Sequence, residues 1–407
     1  MMDIRKLFLA VFAIRMNHLA CRSLSLSMVR FLRATLSLAA LCAACVLFFL
    51  IASEQASAQN SVDSKLKSDA EHAQALGKDA DATALYVKAL QQDPTWTEGW
   101  WRYGGLLYEQ QKFQDARVAF ARLTQLAPRN PLGFALLGLC EYGLGDWNNA
   151  SLHLNKALNH GGLPPDIANV AMYDFGLVLM QQHNRNGAII IFRLLQHQTP
   201  DYPNLVPAFG SAELNLQAIP TPEQPIYAAV LLEGQAAIAV LELRIADAEH
   251  FYRQAIEENR KLPFTHLCLA LFLLNQGKEK DAEAELQAES LVNTATADPW
   301  IWLARLTLAR RDATDARADA ERALKLRPED GLLYLIIGRS FIIDQQWDKA
   351  STALQRAEAL APDNYEVHYA LTTVYSALHQ TEDAVAERKM FVQAYAVAHP
   401  GGGSSAR

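Results

Sequence analysis

Two histidines, His153 and His160, lie seven residues apart, a spacing that puts both imidazoles on one helix face, where they could hold a metal ion. No carboxylate or thiolate pattern accompanies them, and Gly161-Gly162 ends the helix at that point, so they read as structural or solvated histidines. Cys140 and Cys268 are 128 residues apart. They could form a disulfide or redox pair in an oxidising compartment, but the separation favours two small buried hydrophobes on separate helices. From residue 59 on there is no Gly-rich phosphate loop, no His-Glu-x-x-His, no Cys-x-x-Cys and no Gly-x-Ser-x-Gly, the traces that cofactor, metal and acyl-transfer chemistry leave. The sequence therefore assigns no catalytic, metal or cofactor-binding residue, and it reads as a binding protein without a cofactor rather than an enzyme.

The elements behind these residues are helical and periodic. Alanines recur every 34 residues at Ala82, Ala116 and Ala150, and again at Ala248, Ala282, Ala316, Ala350 and Ala384, with Ala188 between the two runs. A large residue usually follows four later and a small or apolar one three beyond that, as in Ala116-Phe120-Leu123 and Ala188-Phe192-Leu195. Those steps mark one face of a helix. Upstream of each alanine runs a second helical stripe, such as Trp100-Tyr103-Gly104-Leu107 or Tyr334-Ile337-Gly338-Phe341, whose small residue lets two helices approach. Phe113, Trp147 and Trp347 precede their alanines by three and wedge the turn, while Pro94, Pro128, Pro200, Pro328 and Pro362 close units.

This pattern resembles the tetratricopeptide repeat family, whose W-x2-L-G-x2-Y, A-x3-F and closing Pro have the same period. The resemblance covers residues 63 to 398 in nine units and implies an all-α, right-handed solenoid of helical hairpins. Two units depart from the pattern: the first has Ala70 and Ala73 in place of the aromatic and the Gly, and the ninth has Arg388 in place of a large apolar residue. Ends that meet water are expected to be irregular. Between Ala188 and Ala248 there are 26 residues more than one period, including six prolines. They read as an extra helix near 205–218 followed by a loop at 219–225. The expected organisation is a block of four repeats over 63–200, an irregular Pro-rich insertion over 201–228, a block of five repeats over 229–398 and a flexible tail over 399–407.

The family resemblance implies a concave groove lined by one flank of the first helices. Carried over unit by unit, that flank holds Trp101 and Tyr108, then Ala135, Leu139 and Tyr142, then Tyr173, Leu177 and Met180, and later Phe264, Leu267 and Leu271. The partner-binding residues expected here are Trp101, Tyr108, Leu139, Tyr142, Tyr173 and Leu177, since aromatic anchors dominate protein interfaces. Alternatively, some of these side chains pack on the next unit. Some relatives hold acidic C-terminal peptides with a Lys and an Asn one turn apart, but the matching residues are Lys67 and Glu71, and the carboxylate repels such a ligand.

Residues 34–52 carry no charge, follow Arg30 and Arg33, and lead to an Ala56-x-Ala58 site. They read as a signal peptide cleaved before Gln59, with Met28 as a second start, or, if uncleaved, as a membrane anchor. Both readings put the repeats outside the cytoplasm. The remaining residues carry a net charge of −11, with no basic cluster, which disfavours nucleic acid. The expected function is an extracytoplasmic scaffold or adaptor for a protein or peptide. The alternative is a subunit of an envelope enzyme or a carbohydrate-handling complex whose site the sequence does not advertise.

Overall fold

The computed structural model describes residues 64–399; the leader at 1–58 and the tail beyond residue 399 lie outside the described residues. Nineteen helices and no strand are present among the described residues. The chain divides into two compact units, one ending at Gln111 and one beginning at Lys112.

The first unit contains α1 (64–75), α2 (Asp79–Gln92) and α3 (Thr97–Glu109). Ala70 and Ala73, the two departures from the repeat pattern, line its core together with Ala82, Tyr86 and Leu106. Small residues on α1 leave room for the Tyr86 ring, whose hydroxyl donates to Gln74 Oε1 at 2.6 Å. Lys67 is held by Asp93 at 2.6 Å.

The second unit begins with α4 (Phe113–Leu126) and continues as hairpins: α5 (Pro131–Gly143) with α6 (Trp147–His160), then α7 (Pro165–Gln181) with α8 (Arg185–Gln198). After α9 (Leu205–Glu213) come α10 (Tyr227–Leu241) with α11 (Ile245–Glu258), α12 (Thr265–Asn275) with α13 (Glu279–Val292), and α14 (Asp298–Ala309) with α15 (Ala313–Leu324). The last two hairpins are α16 (Gly331–Ile343) with α17 (Trp347–Leu360), and α18 (Tyr365–Ala377) with α19 (Thr381–Ala398). The core is a row of clusters, each shared by neighbouring hairpins, such as Ala297, Ile301, Ala304, Ala320, Leu333 and Ile336.

Sterics explain the motif. Every phased alanine from Ala82 to Ala350 has no solvent exposure. The small residue of the first helix sits under the large residue that follows the alanine by four. A Cβ at Gly138 would lie 2.7 Å from the Leu154 side chain, one at Gly338 2.5 Å from that of Leu354, and one at Gly176 would overlap the Phe192 ring. Within the units each hairpin turns through one left-handed residue: Gly77, Gly145, His183, Leu243, Gly277, Arg311, Gln345 and His379 all have positive φ, as does Gln111 at the end of the first unit. The next amide closes the turn on a carbonyl five residues back, as Asp146 N to Glu141 O and Arg244 N to Ala239 O, the Schellman pattern.

The extra helix is present but shorter than the sequence suggests. It stops at Glu213 because Asn215 turns left-handed at φ 54° and Leu216 N bonds back to Ser211 O. Thr221 to Pro225 are exposed. α9 is nevertheless tightly packed, since Gly210 and Gly234 let its backbone cross that of α10 at contact distance. A Cβ on Gly210 would run into the Val230 carbonyl, and one on Gly234 into that of Val206. A buried polar set spans the same junction. Arg185 of α8 pairs with Glu213 at 2.8 Å, donates to the Glu213 carbonyl at 2.9 Å, and approaches Cys268 Sγ at 3.6 Å. Glu233 of α10 has no exposure and neither carboxyl oxygen has a partner; burial raises it well above the usual carboxylate range.

Two substitutions test these packing rules by thermal and denaturant unfolding. Gly234→Ala puts a methyl group against a backbone that cannot yield and is expected to destabilise by about 2–3 kcal/mol. Leu243→Gly relieves a left-handed leucine that is 81% exposed and is expected to stabilise by about 1 kcal/mol.

Candidate functional site

The first helices carry the residues the sequence singles out, and the structure sorts them by burial. In the first unit, Trp101 is 38% exposed with the Arg102 guanidinium 5.5 Å from its ring, and Tyr108 is half-buried. In the second unit, Leu139 is buried, as are Ala135, Met180 and Leu267; these are packing residues. Phe264 caps α12 in a left-handed conformation at φ 73° and donates its amide to Glu289 at 2.7 Å. Tyr142, Tyr173 and Leu177 are half-buried, with part of each side chain at the surface.

Tyr142 and Tyr173 belong to a cluster. Tyr142 of α5 leans on Trp147 at 5.7 Å between centroids. Tyr173 of α7 lies 6.1 Å from Phe192 and 5.1 Å from Tyr202, which sits in the turn before α9. Among them stands Asp174, which sequence reasoning missed. All three phenols are raised above their ordinary range by burial and by the Asp174 charge, Tyr173 to about 12. Asp174 is itself pushed from 3.8 to about 7, and loss of solvent is the sole cause. No hydrogen bond or ion pair reaches it among the described residues. The available signal was a charge in an otherwise apolar helix, PDIANVAMYDFGLVLMQ, where Asp174 is the sole charge beyond the first turn.

Other polar groups have structural partners. His153 meets Glu141 at 2.7 Å and His160 meets the Lys156 carbonyl at 2.8 Å, while both rings lie 6.1 Å from Phe134. Cys140 and Cys268 are free and buried. Glu358, His368 and Glu387 come together with donor atoms within 4.8 Å of one another, a set that could hold a divalent cation. His368, however, meets Glu387 at 2.7 Å and the Pro362 carbonyl at 2.7 Å, and the sixth unit repeats this arrangement as His266 with Glu285 at 2.6 Å. The recurrence makes the pair a brace between the two helices of a unit. Where the last two hairpins meet, Arg339, Tyr365, Tyr369 and Phe391 border a hollow of about 180 Å³, with Arg339 bound to Glu366 at 3.1 Å. The Lys67 of the acidic-peptide comparison is already neutralised by Asp93.

The 34-residue hairpin period, the buried alanine and the left-handed turn recur together along the chain. The fold is an array of tetratricopeptide-like helical hairpins. No family model and no curated protein matches the sequence. Solved structures do, at low identity. MamA from Desulfovibrio magneticus is 15% identical and covers 43% of this chain and 97% of its own, with a TM-score of 0.37. A chain of the APC/C hetero-tetramer Cut9-Hcn1 is 11% identical over 82% of this chain and 87% of that one, with a TM-score of 0.36. A tetratricopeptide repeat protein from Parabacteroides merdae is 15% identical over 69% of this chain and 98% of that one, with a TM-score of 0.33. Likeness of this degree transfers no partner or activity to the chain.

Asp174 yields a pH prediction. Folded, its carboxyl holds a proton up to about pH 7; unfolded, only up to its ordinary 3.8. Folding therefore takes up a proton between these values, so stability falls as pH rises from about 4 to about 7 and is flat in this group above that. Asp174→Asn removes the slope: its Tm should exceed that of the parent at pH 8 and match it near pH 4. Equal Tm values at pH 8 would show that the carboxylate is not desolvated.

Proposed function

We propose that this chain is a scaffold that holds a partner protein or peptide along the first-helix flank of its repeats, outside the cytoplasm. The observation that carries the reading is the Tyr142, Tyr173, Tyr202 and Asp174 cluster, half-buried side chains that leave a carboxylate without a partner. Aromatic side chains with one wet edge supply contact area at small entropic cost. The residues that would do work are contact residues, which suits a binding role over catalysis. Export rests on the uncharged run at 34–52 with its Ala-x-Ala site. Among the described residues no helix is long and apolar enough to cross a membrane.

Site-specific photocrosslinking tests the surface without removing packing. A crosslinking amino acid in place of Trp101, Tyr142 or Leu177 should trap a partner polypeptide. The same group in place of Leu152 or Ile190, which are 60% and 56% exposed on the second helices α6 and α8, should trap none. Equal yield from both sets, or none from the first, overturns the reading. N-terminal sequencing of the native protein should begin at Gln59, and recovery of the uncut chain from the cytosol would refute export.

A further inference from the structure

Asp174 allows the partner's chemistry to be named, on the basis of the binding surface proposed above. Its carboxylate lies on α7 beside Tyr173, with Tyr142 reaching it from α5 and Tyr202 from the turn that follows α8. The two nearer rings are 5.1 Å apart, and none of the three hydroxyls donates a hydrogen bond to the carboxylate. No lysine, arginine or histidine forms an ion pair with it among the described residues. By contrast, other carboxylates such as Glu213, Asp319 and Asp298 have an arginine within 2.8 Å.

A ligand entering this cluster must satisfy three demands. An anion would add like charge beside Asp174 and is rejected. A neutral apolar group would strip the remaining water from the carboxylate and leave it unpaired. A cation on an apolar stem satisfies all of them: the stem covers tyrosine surface, the rings attract the charge through their faces, and the carboxylate accepts a charge-assisted hydrogen bond. The net charge of −11 over residues 59–407 draws such a partner in from a distance.

We propose that Asp174, bordered by Tyr142, Tyr173 and Tyr202, is the acceptor for a lysine or arginine side chain presented by the partner polypeptide. Selection of a displayed library of random peptides of about twelve residues against the full chain tests this. Enriched peptides should share a Lys or Arg in one register. For a selected peptide, Asp174→Asn should weaken binding about tenfold or more, as should norleucine for its Lys or citrulline for its Arg. The two changes together should lose little more than either alone. Asn keeps the shape of the side chain, and the Tm measured for the variant separates binding loss from misfolding. Enriched peptides without a shared basic residue, or an affinity within twofold on Asp174→Asn, overturn the proposal. If those peptides are still lost on Tyr142→Ala, the binding surface stands and only the cation assignment falls. If no peptide is enriched, both fall.

Discussion

How closely two helices can approach decides everything else in these repeats. The phased alanines from Ala82 to Ala350 have no exposure, and in hairpins such as those of Gly138, Gly176 and Gly338 a large side chain is seated over the glycine of the facing helix. If that contact were looser, Leu154, Phe192 and Leu354 would lose the floor they rest on, and a void there costs roughly 2–5 kcal/mol. If it were tighter, the backbone itself would have to move, because the second helix has no atoms left to give. The left-handed turn residue then fixes how the second helix leaves the first. Since stacking depends on the hairpin's shape, a local contact repeated at a fixed interval is enough to build the array.

The same contact governs the irregular junction. With no alanine in phase there, α9 and α10 meet through Gly210 and Gly234, and the backbones come as near as in any hairpin. Beneath them the Arg185–Glu213 pair joins α8 to α9 and reaches Cys268 on α12. Its charges are balanced, whereas loss of either partner would leave one buried and alone, typically costing 3–5 kcal/mol. Neighbouring Glu233 has no hydrogen-bond partner and is raised well above the usual carboxylate range by burial and by the Glu213 charge. A proline-rich insertion is thus held by close packing and buried charge.

The hairpins were legible in the sequence because close contact admits few residues, so Ala and Gly had to recur at one interval. Turn conformation was less legible. Six of these nine left-handed residues are Gln, His, Leu or Arg where Gly would fit, and those residues carry no sign of positive φ. The length of α9 was overestimated because the stop is Asn215, whose left-handed state depends on the packing of Leu214 and Leu216 nearby. The binding surface was the least legible part. One helical step separates Leu139, which is packing, from Tyr142, which is half-exposed, and a periodicity of three to four cannot resolve the margin between two faces. Asp174 belongs to no motif, and its meaning depends on the residues that fail to approach it.

Of the carboxylates of the second unit raised by loss of solvent, Glu233 and Asp174 form no ion pair among the described residues, and the contrast between them assigns their roles. Glu233 has no exposure, so no external group can reach it, and burial raises it well above the usual carboxylate range. Asp174 retains surface and, with its carboxyl at about 7, is close to half-ionised at neutral pH. A neutral residue of the same shape would avoid the cost of that ionisation. Packing does not require a charge at this place, since Tyr142, Tyr173 and Tyr202 make their contacts without it. A carboxylate that weakens the fold, stays within reach of solvent and lacks any internal counter-charge is most simply explained by a counter-charge that arrives from outside.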